Sequence, residues 1–229
     1  PLTGRVLEMI DMVEEDESVR GLVLAIDSPG GLVADSHQIY HRLELYRAET
    51  GNPVTVTMSR MATSGGLYVA MGSGPTGRVY AEPTTWTGSI GVIIPRYDVS
   101  GLADRFGVTS EPLKTGPLKD SLNPFRGLSE EDRRVWTGIL DDAFDRFIGV
   151  IAENRPGLDA ARVRELATGQ IYTANQALEH GLVDSIGYEE DAIDSLKTVL
   201  GLETVQVVTY QSRPGWIDLL LYQFESRDP

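Results

Sequence analysis

An uninterrupted apolar run, "GLVLAID" at residues 21–27, leads directly into the turn "SPGG" and then into a helical pattern over residues 32–51. A run of this length without alternation predicts a strand buried on both faces, as in a parallel sheet covered by helices. A second strand pattern, "PVTVTM" at residues 53–58, follows that helix. Strand, helix and strand in this order predict an α/β layered fold with a mostly parallel sheet.

Short strands and helices continue to alternate along the rest of the chain. Further strands are predicted in "GRVYAEP" (77–83), "SIGVIIPRYDV" (89–99) and "TVQVVTY" (204–210). A long helix is predicted from Ser129, where "SEED" matches a capping box, and its apolar stripe consists of Val135, Ile139, Phe144, Phe147, Ile148 and Ile151. No linker or repeat interrupts this pattern, so we predict one domain at residues 1–200, followed by a C-terminal strand and tail at residues 201–229.

Composition excludes several classes of function. The net charge of −14 and the pI near 4.6 argue against nucleic-acid binding. The chain has no cysteine, which rules out disulfides and thiolate metal sites. No run of 18 apolar residues is present, so the chain is not expected to span a membrane by itself. Because the sequence enters a helical pattern at its first residues, we expect that an N-terminal anchor has been removed.

The segment "MATSGGLYVA" at residues 61–70 places Ser64 between the second strand and an apolar helical pattern. A serine at this position suits a helix N-cap. The same position also suits a nucleophile, because the glycines after it allow backbone N–H groups to face a reacting carbonyl. A serine hydroxyl needs a neighbouring base to act in this way. The choice therefore depends on the bases elsewhere in the chain.

Histidine is a weak candidate for that base. The three histidines are His37, His41 and His180, and none lies between residues 42 and 179. The i, i+4 spacing of His37 and His41 on a helix is that of metal ligands, but the HExxH arrangement is missing. We therefore interpret both as solvated helix residues. His180 precedes a glycine at a predicted helix end, where histidine is a favoured capping residue.

Lysine is the other candidate. Lys114 and Lys119 lie in one loop, "PLKTGPLKD" at residues 112–120. A buried lysine loses the solvation of its charge, so its pKa falls and its neutral amine can accept the proton of a serine. From spacing alone, the two residues can equally be solvated loop lysines.

A glycine turn supplies a second possible component of an active site. Gly30 and Gly31 follow the first strand in "IDSPGG", and Gly65 follows Ser64 directly. N–H groups from the two turns, directed at one point, would stabilise the oxyanion of a tetrahedral intermediate. Strand–turn–helix glycines are also common packing devices, so the residues alone leave both interpretations open.

The motifs in combination resemble signal peptide peptidase A, a family of bacterial membrane-bound serine proteases with a Ser–Lys dyad. The resemblance extends over about residues 5–195 and rests on segments in the same order: "IDSPGG", "MSRMATSGGLYVAM", "TGSIGV", "LKTGPLKD" and "GQIYTANQALEHGLVDSIG". It implies an α/β fold of the ClpP/crotonase type, built from stacked ββα units, and an oligomeric ring. Leu67, where relatives often carry tyrosine, and a small insertion at residues 72–77 depart from the family pattern.

By position, the resemblance implies a role for each residue of the motifs. Ser64 matches the nucleophile, Lys119 matches the general base, and Lys114 does not align with it. Gly30 or Gly31, together with Gly65, matches the oxyanion donors. Ser89 of "TGSIG" matches a serine that hydrogen-bonds the base lysine and orients its amine.

The resemblance implies a serine endopeptidase that degrades remnant signal peptides and other hydrophobic peptides without a metal or another cofactor. Family members are anchored in the bacterial cytoplasmic membrane with the catalytic domain outside the cytoplasm, through an anchor that this chain does not contain. Double-length members take serine and lysine from different tandem copies. This single-copy chain is therefore expected to form a homo-oligomeric ring, of eight subunits by family analogy, with active sites shared between subunits.

Other functions remain as alternatives. A related Ser–Lys protease could act on a different membrane protein, and a crotonase-like acyl-CoA enzyme could share the two-amide oxyanion hole. A ClpP-type Ser–His–Asp protease is disfavoured, because no histidine follows Ser64 until His180. A non-catalytic scaffold is disfavoured by the intact set of Ser64, Lys119 and Ser89.

Overall fold

The computed structural model describes residues 2–210. The strands are β1 (Leu22–Ser28), β2 (Val54–Thr63), β3 (Val79–Ala81), β4 (Trp86–Gly88), β5 (Ile171–Thr173) and β6 (Ser185–Ile186). The α-helices are α1 (Leu2–Glu15), α2 (Val33–Thr50), α3 (Gly65–Ala70), α4 (Ser100–Arg105), α5 (Glu130–Asn154), α6 (Ala160–Leu166), α7 (Ala174–Glu179) and α8 (Glu189–Leu200). A short 3₁₀ turn, Met71–Ser73, continues α3.

Strand β2 is the centre of a six-stranded sheet. Strands β1, β3 and β4 pair with it in parallel, and β6 pairs in parallel with β3. Of the strands in residues 2–210, only β5 runs antiparallel to its neighbour, β4. The predicted α/β fold with a mostly parallel sheet is therefore confirmed.

The two predicted buried strands differ in their burial. Every residue from Val54 to Met58 of β2 is buried, as expected for a strand with neighbours on both edges. Among residues 2–210, strand β1 pairs only with β2, and its Ala25 and Asp27 are exposed. Burial of β1 on both faces was a wrong prediction: Ala25 and Asp27 lie on the same side of the strand, and an apolar run cannot reveal that this side stays open.

Two other strand predictions are wrong. Residues 89–99 contain no strand, because the chain turns at Ser89, whose φ is +51°. Residues 204–210 form neither strand nor helix, and Val205, Val207 and Val208 stay exposed. The segment ends against α1, where the Tyr210 hydroxyl donates a hydrogen bond to Asp16 (3.0 Å). The predicted tail at residues 211–229 lies outside the described residues.

Helix α5 has the predicted capping box, formed by Ser129 and Asp132. Its C-terminal half packs into the main core through Phe147, Ile148 and Ile151. The N-terminal half does not, and Ile139 of the predicted stripe is 49% exposed. Among residues 2–210, no helix combines the length and apolar character needed to cross a bilayer.

Candidate active site

Ser64 occupies the corner between β2 and α3. It is the N-cap of α3 by position, but its side chain makes no capping hydrogen bond. Its backbone has φ +51° and ψ −117°, a conformation that is strained for a residue with a Cβ. Two backbone bonds hold this geometry: Ser64 N–H donates to the Gly88 carbonyl (2.8 Å), and Tyr68 N–H donates to the Ser64 carbonyl (3.0 Å). The helix-cap interpretation therefore does not account for the hydroxyl.

The glycine turn after β1 packs directly against this corner. A Cβ on Gly30, whose φ is +102°, would lie 2.8 Å from the Cβ of Ser64 and 2.9 Å from the nitrogen of Gly65. A Cβ on Gly65 would lie 3.0 Å from the nitrogen of Gly31 and 2.3 Å from Oγ of Ser36. Only glycine allows the two turns to approach this closely.

The backbone donors of these glycines differ in availability. Gly30 N–H donates to Oγ of Ser28 (3.1 Å). Gly31 N–H has no acceptor among residues 2–210. Gly65 is the first residue of α3, so its N–H has no acceptor within the helix. Gly31 and Gly65 line one cleft together with Ser64, where two such donors can stabilise an oxyanion.

This cleft is small, with a cavity volume of about 20 Å³. Besides Ser64 and the two glycines, it is lined by Val33, Ser36, Tyr68, Gly91, Val92, Ala143 and Phe147. Helices α2, α3 and α5 and the segment after β4 thus meet at one point. The walls are mostly apolar, which suits the uncharged side chain of a peptide.

Tyr68, which lines the cleft, is in contact with His37 of α2. Nδ1 of His37 lies 2.8 Å from the Tyr68 hydroxyl, and the two rings pack edge to face. Burial raises the pKa of Tyr68 to about 12, so its phenol stays neutral. Tyr40 packs edge to face on Tyr68 and hydrogen-bonds both Glu44 (2.9 Å) and Asn154 (2.9 Å).

His37 is therefore not the solvated residue that we predicted. It is half-buried beside the cleft, whereas His41 is exposed as predicted. The sequence analysis did not predict this role, although Tyr40 and Tyr68 in neighbouring helical segments could have indicated an aromatic cluster around His37. His180 is the C-cap of α7, as predicted. No group of three or more His, Asp or Glu side chains in the described part of the chain could hold a metal ion.

Ser89 directly follows Gly88, whose carbonyl accepts the hydrogen bond from Ser64 N–H. Like Ser64, Ser89 has a φ of +51°, and its N–H donates to the Gln170 carbonyl (2.7 Å). Its hydroxyl makes no hydrogen bond with residues 2–210.

Within residues 2–210, no hydrogen bond joins Lys119 to Ser64. Lys119 is exposed, and it is not among the residues that line the cleft. Its N–H closes a turn on the Gly116 carbonyl (3.2 Å), but its ammonium has no hydrogen bond or ion pair with residues 2–210. By contrast, Nζ of Lys114 donates to Oδ1 of Asp120 (2.7 Å).

The mostly parallel sheet with its covering helices, and a serine corner at the end of its central strand, define an α/β protein of the ClpP-like class. A mutant of ClpP1 from Listeria monocytogenes superposes with a TM-score of 0.56 over 84% of this chain and 87% of that chain. The two sequences are 14% identical, so this likeness concerns the fold.

The chain belongs to peptidase family S49, whose model matches residues 47–203. It is 40% identical over 206 residues to a protein named putative signal peptide peptidase SppA from Enterococcus faecium, and the match covers 90% of this chain and 58% of that protein. It is 32% identical over 206 residues to Protease 4 of Salmonella typhi, of which it spans 32%. The predicted resemblance to signal peptide peptidase A is confirmed.

Proposed function

We propose that this protein is an endopeptidase that cleaves hydrophobic peptides, remnant signal peptides among them, with Ser64 as nucleophile and Lys119 as general base. The observation that carries the proposal is the pair of unpartnered groups among residues 2–210. A hydroxyl without a hydrogen bond occupies a strained corner beside free amides, and an ammonium without a partner occupies an exposed turn. The lysine of one subunit meets the serine of its neighbour.

In this mechanism, neutral Lys119 accepts the proton of Ser64 as Oγ attacks the scissile carbonyl. The N–H groups of Gly31 and Gly65 stabilise the resulting oxyanion. Lys119 then donates the proton to the departing amine, which leaves an acyl-enzyme on Ser64. Water, deprotonated by the same lysine, hydrolyses the acyl-enzyme. Ser89 orients the amine by a hydrogen bond.

The choice of Gly31 rather than Gly30 as the donor rests on the hydrogen bonds. Gly30 N–H is already bonded to Ser28, whereas Gly31 N–H has no acceptor among residues 2–210. The role of Gly30 is then to let the turn approach Ser64.

The substrate class rests on the mostly apolar cleft next to Ser64. An extended peptide with small or apolar side chains fits such a cleft, and a membrane-released signal peptide has this composition. We further propose a ring of eight subunits, held by a membrane anchor at the outer face of the bacterial cytoplasmic membrane.

Subunit mixing tests the shared site. Ser64→Ala and Lys119→Ala chains are each inactive alone, but they should regain activity when unfolded and refolded together. With random equal mixing, about a quarter of the interfaces would join an intact Ser64 to an intact Lys119. Peptide hydrolysis by the mixture is measured against each variant alone. Persistent inactivity of a fully assembled mixture would rule out the shared site, and an active Lys119→Ala enzyme would rule out the dyad.

A further inference from the structure

Lys119 lies in a loop that charged side chains tie to the rest of the protein. We call residues 114–126 the base loop. Nζ of Lys114 donates to Oδ1 of Asp120 (2.7 Å), and Nη2 of Arg126 donates to the same oxygen (3.2 Å). The carboxylate that directly follows Lys119 in the chain is thus shared by two cations.

Arg126 continues this chain of contacts into α5. Its Nη1 and Nη2 donate to the two carboxylate oxygens of Asp132 (2.6 and 3.1 Å). The Asp132 side chain is only 1% exposed, and it also closes the capping box of α5 with Ser129. The hydrogen bonds from Arg126 and Ser129 hold the pKa of Asp132 well below its usual value. A bidentate pair of this kind fixes the direction as well as the distance between two elements.

Neutral contacts tie the same loop at other points. Nε1 of Trp136, on α5, donates to Oγ of the buried Ser121 (2.8 Å). Val99 N–H donates to the Pro124 carbonyl (2.8 Å), and Arg96 donates to the carbonyls of Asn123 and Arg126. The part of the loop after Lys119 is therefore held to α5 and to residues 96–99, and the Lys114–Asp120 bond closes the loop around Lys119. The ammonium of Lys119 itself bonds to none of residues 2–210. The residues next to Lys119 are thus held by hydrogen bonds, while the side chain of Lys119 is exposed.

The charges of the side chains that hold the base loop also contribute to the electrostatic potential at Lys119. Lys114, Asp120, Arg126 and Asp132 sum to zero, so Asp120 adds little negative potential at Lys119. Without Lys114, Asp120 shares Arg126 with Asp132, and the group carries a net charge of −1. A negative charge nearby stabilises an ammonium and raises its pKa, which reduces the neutral amine that can act as a base. Other charged side chains on the segments around the base loop are Arg96, Asp98, Glu111, Glu130, Glu131, Arg133 and Arg134.

We propose that Lys114, Asp120, Arg126 and Asp132 form a clamp that positions the base loop and neutralises the carboxylate next to Lys119. Lys114 is then a positioning residue for the base and takes no proton from serine. The inference rests on the proposed function of Lys119 as the general base.

The test is the pH dependence of kcat/KM, measured on the assembled enzyme. In Lys114→Met, the rise of kcat/KM with pH should shift to higher pH, with roughly fivefold lower activity below the apparent pKa and near-normal activity above it. Lys114→Arg, which keeps the charge, should restore the wild-type profile. Asp120→Asn, which removes the negative charge, should shift the profile to lower pH. Lys197→Met, which breaks the remote Lys197–Asp194 pair (3.0 Å), is the control and should not shift it.

An unshifted profile in Lys114→Met, or an equal loss of activity at every pH, would overturn the clamp. So would a failure of Lys114→Arg to restore the profile. Lys119→Ala is measured in parallel, because its inactivity is what the proposed function requires. An active Lys119→Ala enzyme would refute the proposed function itself, whereas an inactive one together with an unshifted Lys114→Met would refute the clamp alone.

Discussion

At the scale of single residues, two serines hold the backbone of the site in an unusual conformation. Ser64 and Ser89 are the non-glycine residues with positive φ in the described part of the chain, both at +51°. A hydrogen bond of 2.8 Å from Ser64 to Gly88, the residue before Ser89, connects them. Such backbone strain costs about 1–3 kcal/mol per residue and persists only where the surrounding structure imposes it.

This strain predicts a difference in stability between two variants that the proposed mechanism requires to be inactive. Ser64→Gly should have a larger free energy of unfolding than Ser64→Ala, because glycine has no Cβ and adopts positive φ without a clash. We expect the free energy of unfolding to differ by roughly 1 kcal/mol or more. Denaturant unfolding of both proteins measures it. Equal stability of the two would show that the corner is not strained.

At the scale of elements, the floor of the cleft is built where α2 packs on α3. Tyr68 of α3 is 4% exposed, and its hydroxyl reaches His37 of α2. Tyr68 also packs on Phe147 of α5, with the ring centroids 5.1 Å apart. Three helices thus fix the position of one ring that lines the cleft of Ser64.

We predict unequal effects for the two histidines of α2. His37→Phe should lower the free energy of unfolding by about 1–2 kcal/mol, because it leaves the buried Tyr68 hydroxyl without its partner. His41→Phe, one turn further on an exposed position, should change it by less than about 0.5 kcal/mol. His37→Asn, whose amide can lie near the position of Nδ1, should recover part of the loss. Chemical denaturation compares the three variants, and equal losses in His37→Phe and His41→Phe would contradict the role of His37.

At the scale of the whole molecule, one segment of the protomer exposes several large apolar side chains. Ile93, Tyr97, Phe106 and Leu113, all between β4 and the base loop, are 75–103% exposed. Large exposed apolar patches on soluble proteins mark sites of protein–protein interaction, and we infer that this segment contributes to one. A second copy of this chain is the partner that the proposed shared site requires, since Lys119 follows the same segment.

Charge placed on this segment should therefore break the proposed assembly. Phe106→Glu and Leu113→Glu should yield folded protomers of lower molecular mass, with peptide hydrolysis reduced at least about tenfold, because the proposed shared site needs the lysine of a neighbouring protomer. Val199→Glu, at a 65% exposed position on α8, is the matched control. Light scattering and circular dichroism measure mass and folding. Full-size assemblies of Phe106→Glu and Leu113→Glu would contradict this interface.

Several features of this protein could be predicted from sequence because their causes lie within a few residues. The capping box at Ser129, the helix end at His180 and the serine corner after β2 depend on local residue types and spacing. The alternation of apolar runs predicted the α/β fold in the same way. The family resemblance, carried by ordered motifs, predicted the class of enzyme.

Other features depend on contacts between segments that are distant in the chain. Exposure of Ala25 and Asp27 on β1 depends on which elements cover that strand, and the close approach of Gly30 to Gly65 joins two turns 35 residues apart. The bond between His37 and Tyr68 joins residues 31 positions apart. Residues 204–210 have a strand pattern but find no partner strand among residues 2–210. Pairing of this kind depends on which surfaces meet after the chain has folded, and a local pattern carries no record of them.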